Sequence, residues 1–280
     1  MDGATFFGIV RQAHNLFAKR TVGIILPARQ PDSPEGEFVR TLDRGLAVIR
    51  AFGPDAPLLT LSEVAARTGI SRAAARRLLL TLERLGYVAT EDGRRFALRP
   101  AILDLGYAYL SSLRWWQEAQ TLIGPLATRI GFPCALGVLD GADVIYVAYA
   151  APGAMPELGR AIGTRLPASA TAIGRVLLAG LPAERAAAAL RAAPRQQLTP
   201  VTVTDPARLI AILDDVRRQK YCLVDQELRL GLRSLGVPIR DAAGSMRAAL
   251  SASFGAVEPT DPLSLLPRLH DVAKIIGRVP

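Results

Sequence analysis

Residues 60 to 99 read TLSEVAARTGISRAAARRLLLTLERLGYVATEDGRRFALR, and this stretch predicts the fold of the N-terminal part of the chain. Leu61, Val64 and Ala65 have the spacing of one apolar face of a helix, and Gly69 ends that helix by tolerating a turn that a bulkier residue would resist. Ser71 can cap a second helix by accepting a hydrogen bond from the backbone N–H groups of its first turn. The pattern therefore predicts a helix, a tight turn and a second helix.

The second helix, from Ser71 to Leu85, has an apolar side and a cationic side when its residues are placed at about 100° intervals. The predicted core side comprises Ala74, Ala75, Leu78, Leu82 and Leu85. The opposite side comprises Arg72, Ala73, Arg76, Arg77 and Arg84. A helix of this shape fits the major groove of duplex DNA, where Arg pairs with the acceptor edge of guanine or holds phosphate. The alternative is an Arg-rich face that is only solvated.

A basic hairpin follows the second helix and completes the pattern of a winged helix-turn-helix. Glu91-Asp92-Gly93 supplies the turn of a two-stranded hairpin that carries Arg94, Arg95 and Arg99. Upstream, the helical spacing of residues 41–52 predicts a first helix that completes a three-helix core. Its apolar stripe comprises Leu42, Leu46, Ala47 and Ile49. The predicted DNA contacts are Ser71, Arg72, Ala73, Arg76, Arg77, Arg94 and Arg95.

Positive charge is concentrated where this motif lies. The 280 residues have a formal net charge of +9. Residues 38 to 100 hold 11 Arg against 6 Asp and Glu, whereas residues 101 to 280 hold 19 Arg and Lys against 15 Asp and Glu. This basic patch predicts binding to duplex DNA that weakens as salt rises, because each neutralised phosphate releases counterions.

Cysteine, histidine and hydropathy patterns favour a reduced, cytoplasmic protein without a metal, a cofactor or a membrane span. Cys134 and Cys222 are far apart, and the chain has only 2 His, so neither a disulfide framework nor a metal site is expected. No apolar run reaches the ~18 residues that would span a bilayer. Residues 1–37 are expected to be a leader whose sequence indicates no function.

A second domain is expected after a connecting helix. We predict that residues 38–99 form the DNA-binding domain, 100–113 the linker helix and 114–280 the second domain. The leucine and tyrosine content of the linker predicts packing against another subunit, with packing inside its own chain as the alternative. Strand-turn-strand patterns near both ends of the second domain enclose helical patterns, which predicts an α+β layout with helices on the faces of a mixed sheet.

Three stretches resemble one protein family, and the resemblance runs from about Phe38 to the C-terminus. They read LSEVAARTGISRAAARRLLLTLERLGYV, IGTRLPASATAIGRVLLAGLP and YCLVDQELRLGLRSLGVPIRDAAGSMRAALSAS. They are similar to IclR-type transcriptional regulators, and within them to the PcaR/PcaU/PobR group, which controls aromatic-acid breakdown through the β-ketoadipate pathway. The resemblance implies a winged helix, a GAF-like effector-binding domain, and homodimers or tetramers that repress or activate catabolic genes.

The resemblance also implies a site for a small organic acid between the sheet and the helix after GTRLP. Carried over by position, the backbone N–H groups of Ala172 and Ile173 would bind an anion, and Thr171 would add a hydroxyl. Ser251 and Ser253 share one face of the last strand because strand side chains repeat every two residues. The full set of expected effector contacts is Thr171, Ala172, Ile173, Asp225, Glu227, Arg233, Ser234, Ser251 and Ser253.

Two details of this expected site leave alternatives open. Arg233 would pair bidentately with an aromatic carboxylate, or it would form a salt bridge with Asp225 or Glu227 that only braces the strand. Ser251 and Ser253 would contact the effector, or they would face solvent on a half-buried strand. Ser169 stands where relatives commonly carry His or Tyr, so the cavity is expected to differ in size or shape from theirs.

Three functions follow from these observations. The first is a regulator that responds to an aromatic acid such as protocatechuate or 4-hydroxybenzoate, and the second is a regulator that responds to a short aliphatic oxoacid. The third, an enzyme with an appended winged helix, is disfavoured, because His14 and His270 are the only His residues and no catalytic set forms around them. Cys222 lies in a strand-like context that favours a buried structural thiol.

Overall fold

The computed structural model describes residues 38–53, 55–153, 162–192 and 196–279. The leader expected at residues 1–37 lies outside the described residues. The chain divides into two compact units, the first ending at Tyr107 and the second beginning at Ala108. Within the described residues, no helix combines the length and the apolar character that crossing a membrane requires.

The first unit is a helical core with a small sheet beside it. Its described helices are α1 (Arg40–Arg50), α2 (Leu61–Thr68) and α3 (Arg72–Arg84), and its strands are β1 (Leu59–Thr60), β2 (Val88–Thr90) and β3 (Arg95–Leu98). The sheet has the order β1-β3-β2, and both pairings are antiparallel. This arrangement confirms the predicted winged helix-turn-helix.

Side-chain caps fix where the helices of this motif begin. The Thr60 Oγ1 accepts from the Glu63 N–H at 3.3 Å, and the Glu63 carboxylate accepts from the Thr60 N–H at 2.7 Å, which forms a reciprocal capping box at α2. Gly69 ends α2 in the left-handed region, with φ 68°. The predicted Ser71 cap is confirmed, since its Oγ accepts from the Ala74 N–H at 3.2 Å. Together these bonds place α3 directly after the turn.

The buried faces of α1 and α3 differ from the prediction. In α1 the buried residue is Val48, while Leu42 and Leu46 are 63% and 39% exposed. In α3 Leu79 is fully buried, whereas Leu85, the residue that follows the helix, is 62% exposed. The prediction is right for Ala75 and Leu82, which are buried, and for Leu78 and Ile49, which pack against the core, and it is wrong for Leu42, Leu46 and Leu85. Spacing alone does not say which stripe meets the core.

The second unit is built on a six-stranded sheet, as far as the chain is described. The strands are β4 (Cys134–Asp140), β5 (Asp143–Ala150), β6 (Arg165–Pro167), β7 (Cys222–Asp225), β8 (Leu232–Arg240) and β9 (Met246–Gly255), in the order β6-β5-β4-β9-β8-β7. Each described pairing is antiparallel. The α+β class is confirmed, but the sheet is not mixed, because two hairpins pair their own strands and the last strand lies beside β4 in the opposite direction.

Helices cover both faces of this sheet. The helices are α4 (Leu103–Ser112), within which the division between the units falls, α5 (Arg114–Ile130), α6 (Ala172–Ala179), α7 (Ala183–Ala192), α8 (Pro206–Gln219) and α9 (Leu266–Arg278). One core lies between the sheet and α5 and α9, and includes Leu136, Leu250 and Leu269. A second core lies on the other face and includes Ile173, Leu178 and Leu213. All of α6 is buried in this second core.

Candidate functional site

The cationic side of α3 lies on the surface of the first unit. Arg72, Ala73, Arg76 and Arg77 are exposed, as predicted. Within the described ranges, the guanidinium groups on this side form no salt bridge. Their charges are therefore available to an external anion, and contact with DNA stays a prediction for each residue.

In the hairpin after α3, Asp92 forms hydrogen bonds with the two arginines that follow the turn. The Asp92 carboxylate accepts from the backbone N–H groups of Arg94 and Arg95 at 3.0 and 2.7 Å, and it pairs with the Arg95 Nε at 2.8 Å. The Arg95 guanidinium and these two N–H groups lower the pKa of Asp92 to about 2. The Arg95 guanidinium is thus held against its own turn, and contact of Arg94 and Arg95 with DNA stays a prediction.

The second unit contains a cleft between the start of α6 and the sheet, with about 310 Å³ of space that includes open solvent. Its described lining is uncharged and consists of Tyr146, Ala170, Thr171, Ala172, Ile173, Val224, Leu228, Leu232, Ser234 and Ser251. Five of the expected effector contacts are among these residues, namely Thr171, Ala172, Ile173, Ser234 and Ser251.

The start of α6 lies at this cleft, and the Thr171 side chain caps the helix there. The Thr171 Oγ1 accepts from the Gly174 N–H at 3.1 Å and donates to the Pro167 carbonyl at 3.3 Å. The first N–H groups of a helix have no acceptor within it, and here they belong to Ala172 and Ile173, two residues of the cleft lining. Together with the helix dipole, these groups favour a carboxylate at this end of the cleft.

Glycines let α6 lie directly against the sheet. A Cβ on Gly236 of β8 would lie 2.9 Å from the Ala172 carbonyl carbon. A Cβ on Gly137 of β4 would lie 2.9 Å from the Ile173 Cγ2 and 2.6 Å from the Val144 Cγ1. A side chain at Gly236 would have to displace the backbone of α6, and one at Gly137 would have to displace the side chains of Val144 and Ile173. The start of α6 therefore packs directly against β4 and β8.

Hydroxyl groups from the strands complete the polar part of the cleft. Ser251 is 2% exposed, and the Ser234 Oγ lies 3.0 Å from the Ser253 Oγ. Ser253, which was also expected to contact the effector, is not in the described lining. Tyr146 of β5 also lines the cleft, and the sequence analysis missed it. Burial, with a smaller effect of Tyr149, raises the pKa of Tyr146 to about 12, so its phenol is a neutral hydrogen-bonding group at physiological pH.

The charged residues expected at the effector site lie elsewhere. Arg233 points away from Ser234 because neighbouring residues on a strand face opposite sides, and its Nε pairs with the Asp225 carboxylate at 3.0 Å. Glu227 forms a bidentate pair with Arg175 of α6, with N–O distances of 2.6 and 2.7 Å. None of these four residues is in the described lining. Arg175 escaped the sequence analysis because its partner is 52 residues away in the chain.

Both domains match one protein family. Residues 107–277 match the family described as "Bacterial transcriptional regulator IclR C-terminal", and residues 41–92 match "IclR helix-turn-helix domain". The "Pca regulon regulatory protein" of Pseudomonas putida is 41% identical over 230 residues, which cover 81% of this chain and 79% of that protein. The "p-hydroxybenzoate hydroxylase transcriptional activator" of Acinetobacter baylyi is 38% identical over 220 residues, which cover 77% of this chain and 81% of that protein.

A solved structure of similar architecture contains a ligand. It is an IclR homolog from Microbacterium hydrocarbonoxydans in complex with 4-hydroxybenzoate. That structure is 25% identical in sequence to this chain and aligns with a TM-score of 0.74. The alignment covers 85% of this chain and 97% of that chain.

Proposed function

The chain belongs to the IclR family of bacterial transcriptional regulators, and we propose that it controls catabolic genes by binding operator DNA in response to an aromatic monocarboxylic acid. Protocatechuate and 4-hydroxybenzoate are the best candidates. The observation that carries the proposal is the cleft at the start of α6, whose lining combines the first residues of that helix, two serines and apolar side chains. The names of the relatives and the ligand of the Microbacterium protein support the same class of effector.

The DNA-binding part of the proposal rests on residues 38–99. Ser71, Arg72, Ala73, Arg76 and Arg77 would enter the major groove from the start of α3, with the exposed arginines on base edges or phosphates. The hairpin would follow the adjacent backbone or minor groove through Arg94 and Arg95. A bacterial transcriptional regulator must reach chromosomal DNA, so we assign this protein to the cytoplasm.

The effector part of the proposal rests on the arrangement of polar and apolar groups in the cleft. The N–H groups of Ala172 and Ile173 would hold the carboxylate, and the hydroxyls of Ser251 and Tyr146 would take the remaining polar groups. Val224, Leu228 and Leu232 form apolar walls that suit an aromatic ring better than a short oxoacid. The oxoacid remains the second candidate, because the N–H groups bind either carboxylate equally well.

We propose that the working form is a homodimer or tetramer that pairs through the linker. Four large apolar residues of α4 are 49–68% exposed, and they are Leu103, Leu105, Tyr107 and Tyr109. Apolar side chains grouped on one exposed helix favour a subunit contact. Two recognition helices held by such a contact would meet half-sites one helical turn or a multiple of it apart.

We propose that the chain is not an enzyme. His270 is on α9, on the opposite face of the sheet from the cleft. Burial raises the pKa of the Cys222 thiol to about 11, so this residue is a poor nucleophile at neutral pH. The residues of the cleft can bind and orient an acid, and they offer no general base near neutral pH.

A thermal-shift assay distinguishes an aromatic acid from a short aliphatic oxoacid as the effector. At concentrations about 100 times the dissociation constant, protocatechuate or 4-hydroxybenzoate should raise the melting temperature by roughly 5 to 10 °C, because a ligand that binds only the folded state stabilises it. Glyoxylate and pyruvate should give no shift at the same concentrations. A shift with the oxoacids alone would favour the alternative effector, and no shift with any acid would contradict the proposed site.

The matched pair Ser251→Ala and Ser264→Ala locates the effect in the cleft. Ser251→Ala removes a buried hydroxyl of the lining and should weaken binding of 4-hydroxybenzoate roughly 5- to 10-fold. Ser264 is exposed, and its Oγ donates only to the Asp261 carbonyl, so Ser264→Ala should bind as the wild type does. Isothermal titration calorimetry on both variants measures the difference.

A further inference from the structure

A buried ion pair lies behind the effector cleft. The two guanidinium nitrogens of Arg175 donate to the two carboxylate oxygens of Glu227 at 2.6 and 2.7 Å. Arg175 is 2% exposed and Glu227 is 8% exposed. The pair itself is not in the described lining of the cleft.

The remaining contacts of the pair reach both walls of the cleft. The Arg175 Nε donates to the Ser169 carbonyl at 2.7 Å, and Ala170 and Thr171 of the lining follow Ser169 directly. On the other side, Leu228 of the lining follows Glu227 directly. The pair therefore connects the start of α6 to the loop between β7 and β8.

Neighbouring segments hold the Glu227 end of this connection in place. Its carboxylate accepts from the Val203 N–H at 2.8 Å, and its carbonyl accepts from the Thr202 hydroxyl at 2.6 Å. The Thr199 hydroxyl donates to the Gln226 carbonyl at 2.8 Å. Each oxygen of the carboxylate thus has a donor, so the loop has few ways to shift while the pair is intact.

Stabilisation of the fold does not by itself explain why a buried ion pair lies at this position. Moving two charges out of water costs about as much as their attraction returns, and well-packed apolar residues of similar volume are often equally stable in the same place. What apolar residues cannot reproduce is the directed bonding to the Ser169 carbonyl and the Val203 N–H. The distinctive contribution of the pair is therefore geometric.

We propose that Arg175 and Glu227 are positioning residues of the effector site, which hold the N–H donors of α6 at a fixed distance from the Leu228–Leu232 wall. This inference rests on the proposed function, because it assigns a task to residues outside the cleft. Binding groups must be held within about 0.5 Å of their productive positions. Loss of the pair lets the two walls move apart independently, and effector affinity falls without the loss of a contact to the effector.

Three variants separate a positioning role from a purely electrostatic one. Glu227→Gln leaves the positive charge of Arg175 behind the anion site, Arg175→Met leaves the negative charge of Glu227 there, and R175M/E227M leaves neither. Positioning predicts that all three bind 4-hydroxybenzoate at least about 10-fold more weakly, because each removes at least one of the directed bonds. A long-range charge effect predicts tighter binding by Glu227→Gln and weaker binding by Arg175→Met, and this pattern would overturn the proposal.

Two controls keep the result independent of folding. The double variant replaces a buried ion pair with apolar groups of similar volume, so it is expected to remain folded. Leu269→Ala makes a cavity on the opposite face of the sheet, where Leu269 is fully buried. It should lose stability while its affinity for 4-hydroxybenzoate stays within about 2-fold of the wild type. Wild-type affinity in all three pair variants would also overturn the proposal.

Amide hydrogen exchange without ligand gives a second readout that does not depend on the effector. In R175M/E227M, exchange should rise at Ala172, Ile173 and residues 228–232, and stay unchanged in β4 and β5. If no acid binds the wild type, the proposed function fails, and this exchange pattern still decides the positioning role. Unchanged exchange at both walls would overturn that role.

Discussion

The R72E/R76E double variant is expected to lose at least about 100-fold of its affinity for the operator at physiological ionic strength. Each guanidinium that pairs with guanine contributes about 1–3 kcal/mol of discrimination, and tenfold in affinity corresponds to about 1.4 kcal/mol. Reversing both charges also replaces attraction to phosphate with repulsion. Both side chains are exposed, so the fold of the first unit should be unaffected.

Fluorescence anisotropy with labelled operator DNA over a salt series measures this loss. The control is Arg208→Glu, which changes charge at an exposed position on α8 in the second unit. This control should retain most of the wild-type affinity, and the dependence of its binding on salt should be nearly the same. Equal operator affinity in R72E/R76E and in the wild type would show that α3 does not carry the DNA contact.

Gly174→Ala is expected to be strongly destabilising. A Cβ at this position would lie 2.2 Å from both the Cα and the carbonyl oxygen of Ala168, and these are backbone atoms that cannot rotate away. Overpacking usually costs about 1–3 kcal/mol, and a clash with backbone should lie at or above the upper end. The melting temperature of the second unit should fall by roughly 6 to 12 °C.

Gly255→Ala is the matched control for this variant. Gly255 ends β9 in the same unit, and a Cβ there would meet no atom within 4 Å. Its melting temperature in differential scanning calorimetry should be nearly that of the wild type. If Gly174→Ala has the same melting temperature as the wild type, then α6 does not approach the Ala168 turn as closely as described. The geometry of the cleft would then have to be revised.

Local sequence patterns were sufficient for the winged helix-turn-helix. Gly69, the Ser71 cap and the Asp92-Gly93 turn act over a few residues, and each is visible in the chain itself. The buried faces of the helices were harder to predict, because any of the three consecutive leucines at positions 78 to 80 could pack into the core. Packing against α1 and α2 selects Leu79, and this selection depends on tertiary structure.

At the effector cleft, too, local sequence patterns predicted some residues, whereas others depend on tertiary structure. Thr171, Ala172 and Ile173 follow from the position of one helix start, and the structure brings them beside Ser234 and Ser251. Strand alternation places Arg233 and Ser234 on opposite sides of β8, so predicting both as effector contacts was inconsistent, and only Ser234 lines the cleft. No local pattern could join Arg175 to Glu227, because only the folded sheet brings these residues together.

Binding of the wild-type chain to the intergenic DNA upstream of its own gene, with and without effector, tests the central claim most directly. We expect at least about tenfold tighter binding to this DNA than to random duplex of the same length, with protection of two half-sites in a footprint. Protocatechuate or 4-hydroxybenzoate should change that affinity by roughly 5- to 150-fold, the usual range of allosteric coupling. Equal binding to both duplexes, unaffected by either acid, would contradict a ligand-responsive regulator.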